Sequence, residues 1–408
     1  MAFGSPLACD VALLGTGVAP LVAASRLIAE GKSVLLLNPE WDYFGENSEL
    51  SLDPFWPTTS SVLSSNRMKE SAPESTLELL RPDFPGAIEL WPKSTGYHDP
   101  YAPHVRTRSR LWIQSSDHLG RTQRAGDWDA IEEMYLRASD EGLKPQTFDG
   151  ILACRRFPGY SASKSPAELR GILLPKLCDV DVSRYQNGLR EFIRERVPAE
   201  KMLNDVSQLE LTTDGIRFRA EGSPRNVRVK EGLIVFWTPR LTPWVLSQAK
   251  KSEVSPILPR GIRLWEEWSL VSRDPIDPSV VGMFENMVVW AEGEGIPDAN
   301  SSNRLAVLRA GALLQLAGES EPTWATAESF KSLTRLCHDF LKWEKYSVRS
   351  MKPRAIFEWP EDRPATRSFL LQRGSFEARV FCGGDGPLMN VVKTAREASL
   401  QPLGGGLR

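Results

Sequence analysis

The chain has 408 residues, of which 41% are hydrophobic and 25% charged, and its formal net charge is −2. This composition predicts a fully folded protein with a large core, organised as two domains or as one domain interleaved with a second. The balanced charge without a basic block argues against nucleic acid as a partner. The sequence contains no run of 18 apolar residues, which argues against a membrane-spanning helix.

The cysteines and histidines indicate the cellular compartment and whether a metal site is expected. The five cysteines are widely scattered, and none of the four histidines stands at a metal-ligand spacing. The first ten residues, "MAFGSPLACD", lack the charged start and apolar stretch of a signal peptide. We therefore expect a cytoplasmic protein without a metal site.

The N-terminal segment predicts a strand, a glycine turn, a helix and a second strand. Apolar runs at 10–14 and 33–37 are typical of strands buried on both faces of a parallel sheet. Residues 17–30 carry apolar and small side chains in a helical stripe, and Gly31 predicts the helix end. The segment is therefore predicted to be a βαβ unit.

The turn "GTGVAP" has the pattern of a phosphate-binding loop. Gly15 permits the tight turn, and Gly17 lets the backbone approach a pyrophosphate. The N–H groups at the helix start, around Val18 and Ala19, would then face the negative charge. Pro20 stands where the pattern has its third glycine, which removes one donor but permits a helix to begin. A lone G-x-G is a weak signal, so phosphate binding stays open at this point.

The second strand ends in "LLLNPEW", where a dinucleotide site is expected to have an acidic residue that binds ribose hydroxyls. Asn38 occupies this position. An amide is a poorer acceptor than a carboxylate, and it accommodates a 2′-phosphate as readily as a hydroxyl. Asn38 is thus either a ribose ligand or merely the start of an Asn-Pro turn.

The middle of the chain alternates helices and strands. The stretch "SPAELRGILLP" predicts a short helix opened by Ser165, with Pro166 at its first position. The stretch "VSRYQNGLREFIRERV" predicts an amphipathic helix with Ser183 as a possible cap. A hairpin over 206–222 precedes the buried strand "LIVFW", aromatic-rich strands follow within 262–290, and 324–346 predicts a further helix.

The C-terminal stretch "VFCGGDGPLMNVVKTA" predicts a second glycine turn between a strand and a helix. Asp385 lies in this turn, and the helix is expected to begin between Pro387 and Asn390. An acidic acceptor beside a positive helix end suits the ribityl chain and pyrimidine side of a flavin. The same residues also suit a capped helix start without a ligand.

The order of a βαβ unit, a middle hairpin with its strand, and a closing Gly-Asp turn resembles the FAD-dependent amine oxidase and phytoene desaturase-like flavoproteins. The resemblance implies an α/β fold, in which a Rossmann-like FAD-binding domain is assembled from discontinuous segments beside a mixed α+β substrate domain. The implied FAD-binding segments are 1–75, 180–245 and 365–408. The implied substrate domain comprises 76–179 and 246–364.

The resemblance also implies FAD-binding positions that run from the pyrophosphate to the flavin. These positions are Gly15, Gly17, Val18, Ala19 and Pro20 at the pyrophosphate loop, Asn38 at the ribose, Val206 with its backbone at the adenine, Gly384 and Asp385 at the ribityl chain, and Met389 and Asn390 at the pyrimidine side. The chain departs from the family at Pro20, at Asn38 where the family has glutamate, and in lacking the downstream Gly-Gly-Arg.

The implied activity is oxidation of a small molecule, an amine or an apolar C–C or C–N bond, by hydride transfer to the flavin. No catalytic constellation is visible, although Trp237, Trp244, Trp265, Trp268 and Trp290 could line an apolar pocket or fill the core. A second hypothesis is a non-catalytic protein of this fold that matures or regulates a partner protein. A third is an NAD(P)-linked enzyme that uses only the N-terminal unit.

Overall fold

A computed structural model describes the N-terminal βαβ segment and much of the chain from residue 105 onward. The described residues are 7–39, 105–115, 135–136, 139, 144–149, 169–180, 182–238, 241–250, 261–274, 279–284, 287–292, 303–315, 327–358, 368–382 and 388–400. Gly384 and Asp385 of the predicted C-terminal turn lie outside this set, as do residues 165–168 of the predicted helix at 165–175.

Two sheets and several helices make up the described structure. The strands are β1 (Leu7–Leu14), β2 (Val34–Pro39), β3 (Val105–Ser115), β4 (Gln146–Asp149), β5 (Leu169–Val180), β6 (Met202–Leu211), β7 (Gly215–Ala220), β8 (Ser223–Trp237), β9 (Gly261–Ser272), β10 (Ser279–Phe284), β11 (Met287–Glu292), β12 (Asn303–Gln315), β13 (Tyr346–Glu358), β14 (Ser368–Arg373) and β15 (Phe376–Cys382). The helices are α1 (Val18–Ala29), α2 (Val182–Arg194), α3 (Thr242–Ala249), α4 (Ala327–Arg335) and α5 (Leu388–Leu400). None of these helices is both long and apolar enough to cross a bilayer.

The first sheet is mainly parallel. Its strands run side by side as β6, β2, β1, β8 and β15, all parallel, with β14 antiparallel at the edge. The chain moves outward from β1 to β2 and β6, and then returns to the other side of β1 with β8 and β15. The topological switch point of this α/β sheet therefore lies between β1 and β8.

A β-meander and a set of helices cover the two faces of the first sheet. Strands β6 and β8 extend beyond the parallel sheet and pair with β7 in antiparallel fashion. Phe218 of β7 belongs to the same buried cluster as Leu14 and Val235 of the parallel strands. Helix α1 packs on β1 and β2 and contacts α2 and α5. Because both faces are covered, the strands are continuous apolar runs, as the sequence predicts.

The second sheet is mixed and has the order β13, β9, β12, β11, β10, β3, β5, β4. Its pairings are antiparallel except for the parallel pair β10–β3. The chain enters this sheet twice, between β2 and β6 and again between β8 and β14. The α/β fold class predicted from the sequence is confirmed.

The short helix predicted at 165–175 is wrong, because residues from Leu169 onward form strand β5. This strand pairs with β3 along its length, with Trp112 opposite Ile172. Gly171 and Pro175 disfavour a helix interior, while the apolar run between them suits a strand. Pairing with a distant partner therefore decided the conformation of this segment.

Two helix boundaries also differ from the prediction. Helix α2 begins at Val182, so Ser183 lies within its first turn and is not the N-cap. The helix predicted over 324–346 ends early: α4 passes into a wider π-helical turn at Leu336–Phe340, and Lys342 adopts a left-handed φ of 53°. That conformation ends a helix, and the chain then enters β13.

Charged groups tie the strands together near their starts, at what we call the amino edge of the first sheet, formed by Asp10, Lys32, Ser33, Lys230 and Glu231. The Asp10 carboxylate accepts hydrogen bonds of 2.8 Å from the Ser33 N–H and of 2.8 Å from Lys230 Nζ. These bonds, that from Lys230 above all, lower the pKa of Asp10. Lys32 and Glu231 form an ion pair beside them. A β-bulge in β8 sets Lys230 and Glu231 opposite Asp10.

Candidate functional site

The turn after β1 is built on two glycines that are needed for different reasons. A side chain at Gly15 would place Cβ 3.0 Å from Phe236 Cβ and 3.3 Å from its carbonyl oxygen, so no larger residue fits without a shift. Gly17 has φ 81° and ψ −149°, a conformation that only glycine adopts readily. Open space surrounds its missing Cβ. The backbone is therefore exposed to a ligand at Gly17 and closely packed at Gly15.

Helix α1 begins directly after this turn without a side-chain cap. Gly17 is its N-cap residue, so no cap side chain accepts a hydrogen bond from the first N–H groups of the helix, and the first turn contains no acidic residue. As in every α-helix, these N–H groups have no intrahelical acceptors. Pro20 removes one of these donors but does not interrupt the helix. Val18 and Ala19 have buried side chains and keep their N–H groups. This helix start suits an anion.

A cavity of about 410 Å³ opens next to this turn, within the size range of small-molecule sites of roughly 300–1,000 Å³. It lies between the glycine turn, the end of β2, helix α2 and the start of β6. Its lining residues are Gly15, Thr16, Gly17, Pro20, Leu21, Leu36, Leu37, Asn38, Arg190, Ile193, Arg194, Ala199, Met202, Leu203 and Asn204. The structure thus brings the predicted residues Gly15, Gly17, Pro20 and Asn38 together.

Asn38 lies at the end of β2 and has a polar partner that the sequence did not reveal. Its Nδ2 donates a 3.3 Å hydrogen bond to Oδ1 of Asn204 in β6. The parallel pairing of β2 with β6, in which Leu37 lies opposite Leu203, carries Asn204 to this place. Two amides therefore offer both donors and acceptors at the point where the resemblance expects a ribose.

Two arginines on α2 also line the cavity, and sequence reasoning missed them as site residues. Arg190 and Arg194 are four positions apart, which places them on one face of the helix. The described lining residues include these two arginines and no aspartate or glutamate, and Arg190 has a further interaction within the protein. Arginine side chains in a lining are compatible with an anionic ligand. The i, i+4 arginine spacing in "LREFIRERV" was the signal available in the sequence.

Strand β15 and helix α5, which flank the predicted C-terminal turn, end and begin near the same edge of the sheet. Strand β15 pairs with β8, with Cys382 opposite Trp237, while β8 also pairs with β1. The end of β15 is thus two strand spacings from the end of β1, about 10 Å. Met389 and Asn390 lie in the first turn of α5, which follows β15 and contacts α1. We call the carboxyl edge the ends of β1, β2, β8 and β15 together with the glycine turn, Thr238 and the starts of α1 and α5.

Val206 is placed differently from the other predicted residues. It lies opposite Pro39 in the β2–β6 ladder, and its side chain is buried in the core. It does not line the cavity, whereas the preceding residues Met202, Leu203 and Asn204 do. A contact of its backbone with an adenine stays a prediction.

Thr238 is a feature of the carboxyl edge that the sequence did not reveal. It follows β8 directly, is only 6% exposed, and its Oγ1 has no hydrogen-bond partner. A buried hydroxyl is normally paired with protein, water or ligand. The open backbone at Gly17 and the uncapped helix fit a polar ligand at this edge, whereas Thr238 does not line the cavity.

The tryptophans that could have lined a substrate pocket divide into two groups. Trp237 is fully buried, donates a 3.2 Å hydrogen bond to Thr242 Oγ1 and packs edge-on against Phe369. Trp244 packs against the same core and donates a 2.8 Å hydrogen bond to the Leu209 carbonyl. These two fill the core. The remaining three lie in the second sheet, Trp265 and Trp268 in β9 and Trp290 in β11.

Three cysteines have described side chains. Cys9, Cys337 and Cys382 are buried, and none of the three forms a disulfide. Burial raises the pKa of both Cys9 and Cys337 to about 12, so these two stay protonated near neutral pH. Cys382 is the last residue of β15 and is buried.

Comparison with known proteins gives a clear result for the fold. No protein-family model matches the sequence, and no curated protein matches it. The structure is similar to NikD, an unusual amino acid oxidase essential for nikkomycin biosynthesis, with a TM-score of 0.65, 15% identity and coverage of 97% of this chain and 94% of NikD.

Two further solved oxidases have the same overall structure. Glycine oxidase from Geobacillus kaustophilus has a TM-score of 0.60 at 14% identity, over 97% of this chain and 93% of that one. L-α-Glycerophosphate oxidase from Mycoplasma pneumoniae, solved with FAD bound, has a TM-score of 0.59 at 11% identity, over 96% and 94%. They lend no specific support to the phytoene desaturase-like part of the resemblance. Over almost its whole length, this chain has the fold of these oxidases.

Proposed function

We propose that this protein is an FAD-dependent oxidoreductase that oxidises an amine or amino acid. The observation that carries the proposal is the cavity at the carboxyl edge, where the glycine turn, the uncapped α1 and two arginines converge. The fold shared with amino acid oxidases supports an amine over an apolar C–C substrate. When bound, FAD would accept a hydride, and with it two electrons, from the substrate.

The residues present fit the ADP part of FAD. The pyrophosphate would lie against Gly15 and Gly17 and accept hydrogen bonds from the first N–H groups of α1. Asn38 and Asn204 would hold the ribose, and the two α2 arginines add positive charge near the phosphates. Gly384, Asp385, Met389 and Asn390 are proposed for the flavin end on the resemblance.

The proposal includes a division of labour between the two sheets. We assign FAD binding to 1–75, 180–245 and 365–408, and the substrate to 76–179 and 246–364. This assignment is supported by the path of the chain, which leaves the first sheet for the second after β2 and again after β8. The scattered cysteines of the chain favour a cytoplasmic location.

Flavin loading and reduction test the proposal directly. The purified chain is expected to show flavin absorption or to acquire it when apoprotein is incubated with FAD. Anaerobic addition of single amines and amino acids should bleach this absorption for at least one compound. A Gly17→Ala variant is the control, because it should fail to load. Failure of the wild-type chain to bind FAD at all would overturn the proposal.

A non-catalytic role as maturation or regulatory partner of another protein is the second candidate. Asn38 in place of a carboxylate and Pro20 in the first helical turn both favour it, because each removes a contact to the cofactor. Under this hypothesis the chain binds its partner whether or not FAD is present. A colourless protein that cannot be reconstituted would support this role. The NAD(P)-linked alternative predicts binding of NAD(P)H in place of FAD.

A further inference from the structure

Strand β6 has one extra residue where it pairs with the end of β2. Leu37 lies opposite Leu203 and Pro39 lies opposite Val206, so β6 has two residues between these pairs where β2 has one. The insertion is a β-bulge, and Asp205 within it has a left-handed φ of 53°. Among residues other than glycine, asparagine and aspartate tolerate this conformation best.

The bulge decides which side chains of β6 face the core. In a regular strand neighbouring side chains alternate, so residues 203 and 206 would point to opposite faces. Here Leu203 and Val206 are both buried in one core cluster, whereas Asn204 and Asp205 between them are both exposed. The left-handed residue therefore lets β6 keep Asn204 out of the core and still bury Val206 two positions later.

The placement of Asn204 matters for the cavity. Asn204 lines it together with Asn38 and accepts the 3.3 Å hydrogen bond from Asn38 Nδ2. If Asp205 adopted an extended conformation, the extra residue would be lost and the pairing would slip by one position. Val206 and Leu209 hold the following part of β6 in the core, so the slip would displace Asn204.

We propose that Asp205 is a positioning residue for the ribose subsite, by which we mean Asn38 and Asn204. Its left-handed backbone holds the Asn204 amide beside Asn38. The inference rests on the proposed function, because it takes the adenosine ribose of FAD as the group that these two amides bind. Asp205 is not among the described lining residues of the cavity, so it acts through the direction that it gives to the backbone.

The same strand contains a second bulge that serves as a matched comparison. Between Ser207 and Glu210, β6 has one residue more than β7 in their antiparallel pairing. Gln208 in this bulge has φ 50°, close to the value of Asp205. The described lining of the cavity includes no residue from 207 to 210. Substitution of Gln208 therefore disturbs a bulge of the same kind outside the ribose subsite.

Valine substitutions test the role of the backbone conformation. Valine is β-branched and resists a left-handed φ, so Asp205→Val and Gln208→Val should each lower the apoprotein melting temperature by about 2–4 °C. Only Asp205→Val should weaken FAD binding, by about fivefold, because it loses a neutral hydrogen bond to the ribose. Asp205→Asn tolerates the same φ and should keep FAD affinity within about twofold of wild type.

A pair of nucleotides reports on the ribose subsite itself, which a general loss of stability does not affect. ADP and 2′-deoxy-ADP differ only in the ribose 2′-hydroxyl. Wild type and Gln208→Val should prefer ADP by about fivefold, because the amides bond to that hydroxyl. Asp205→Val should bind the two nucleotides with similar affinity. Scanning calorimetry of the full-length apoprotein and competition of each nucleotide with FAD measure these quantities.

The outcomes separate this inference from the proposed function. If wild type binds FAD and Asp205→Val keeps the preference for ADP, the positioning role is wrong and the proposed function stands. The same conclusion follows if wild type shows no preference for ADP, or if both valine variants lose FAD affinity equally. If wild type binds no FAD, the proposed function fails and this inference fails with it.

Discussion

The two edges of the first sheet differ in how their polar groups are satisfied. At the amino edge, Asp10 is bonded to the Ser33 N–H and to Lys230, and Lys32 is paired with Glu231. At the carboxyl edge, the start of α1 has no side-chain cap, and Thr238 Oγ1 has no partner. The described charged groups of the amino edge are thus paired within the chain, whereas the carboxyl edge, where we propose the cofactor site, keeps an uncapped helix start.

The largest effect is expected from a substitution at Gly17, in the turn after β1. Gly17→Ala should abolish detectable FAD binding, because alanine resists φ 81° and its Cβ would occupy the open space beside the turn. Stability should fall by about 1–3 kcal/mol.

Gly31→Ala is the matched control for this variant. Gly31 has φ 78°, also has open space around its missing Cβ, and lies at the other end of α1. It should lose a similar amount of stability and retain FAD binding. Titration with FAD and urea unfolding of both variants measure the difference. Equal loss of FAD binding in the two variants would show that strain at the ends of α1, and not a contact of Gly17 with the cofactor, is responsible.

Removing positive charge from the cavity should have the next largest effect. The double variant Arg190→Gln/Arg194→Gln should weaken FAD binding about tenfold at low salt, and less at high salt, because the α2 arginines attract the phosphates. Arg217→Gln is the control, since Arg217 is exposed on β7 and bonds to Asn226. Affinity is measured from about 20 mM to about 500 mM salt, over which the Debye length falls from about 20 Å to about 4 Å. An unchanged salt dependence in the double variant would contradict this role.

Introducing a carboxylate at the end of β2 should strengthen FAD binding. Asn38→Glu should tighten FAD binding about fivefold, because a charged acceptor binds ribose hydroxyls more strongly than an amide. Asn38→Gln keeps the amide and should not tighten it. Binding of a 2′-phosphorylated nucleotide should weaken in Asn38→Glu through charge repulsion. If FAD binding is no tighter, the ribose does not lie at Asn38.

The smallest effect is expected at the amino edge, and it should depend on pH. Asp10→Asn should lose about 0.5–1 kcal/mol of stability at pH 7, since the ion pair is partly exposed. Because folding lowers the pKa of Asp10, its contribution is present above the unfolded pKa of about 3.9 and is lost as pH falls through the folded value. Wild type and variant should therefore converge at acid pH, as followed by urea unfolding between neutral and acid pH. FAD affinity should not change, and a change would mean that the edges are coupled.

Local patterns predicted much of the fold and part of the site. The βαβ unit, the glycine turn and the strand "LIVFW" follow from apolar runs and glycine positions that act within a few residues. The helix predicted at 165–175 failed because pairing with β3, more than fifty residues earlier in the chain, outweighs local preference.

The sequence alone determined the conformation of short segments, because the positive φ that Gly17 permits and the apolar runs of the parallel strands are local properties. The need for glycine at Gly15 comes from the distant residue Phe236 and was decided by the tertiary structure. Only the tertiary structure decided which residues meet. Asn38 and Asn204 are 166 positions apart and become partners because β2 pairs with β6. Likewise, the sequence cannot tell Thr238 from Thr242. In the folded chain, the Thr242 hydroxyl accepts a hydrogen bond from Trp237, whereas Thr238 Oγ1 is buried without a partner.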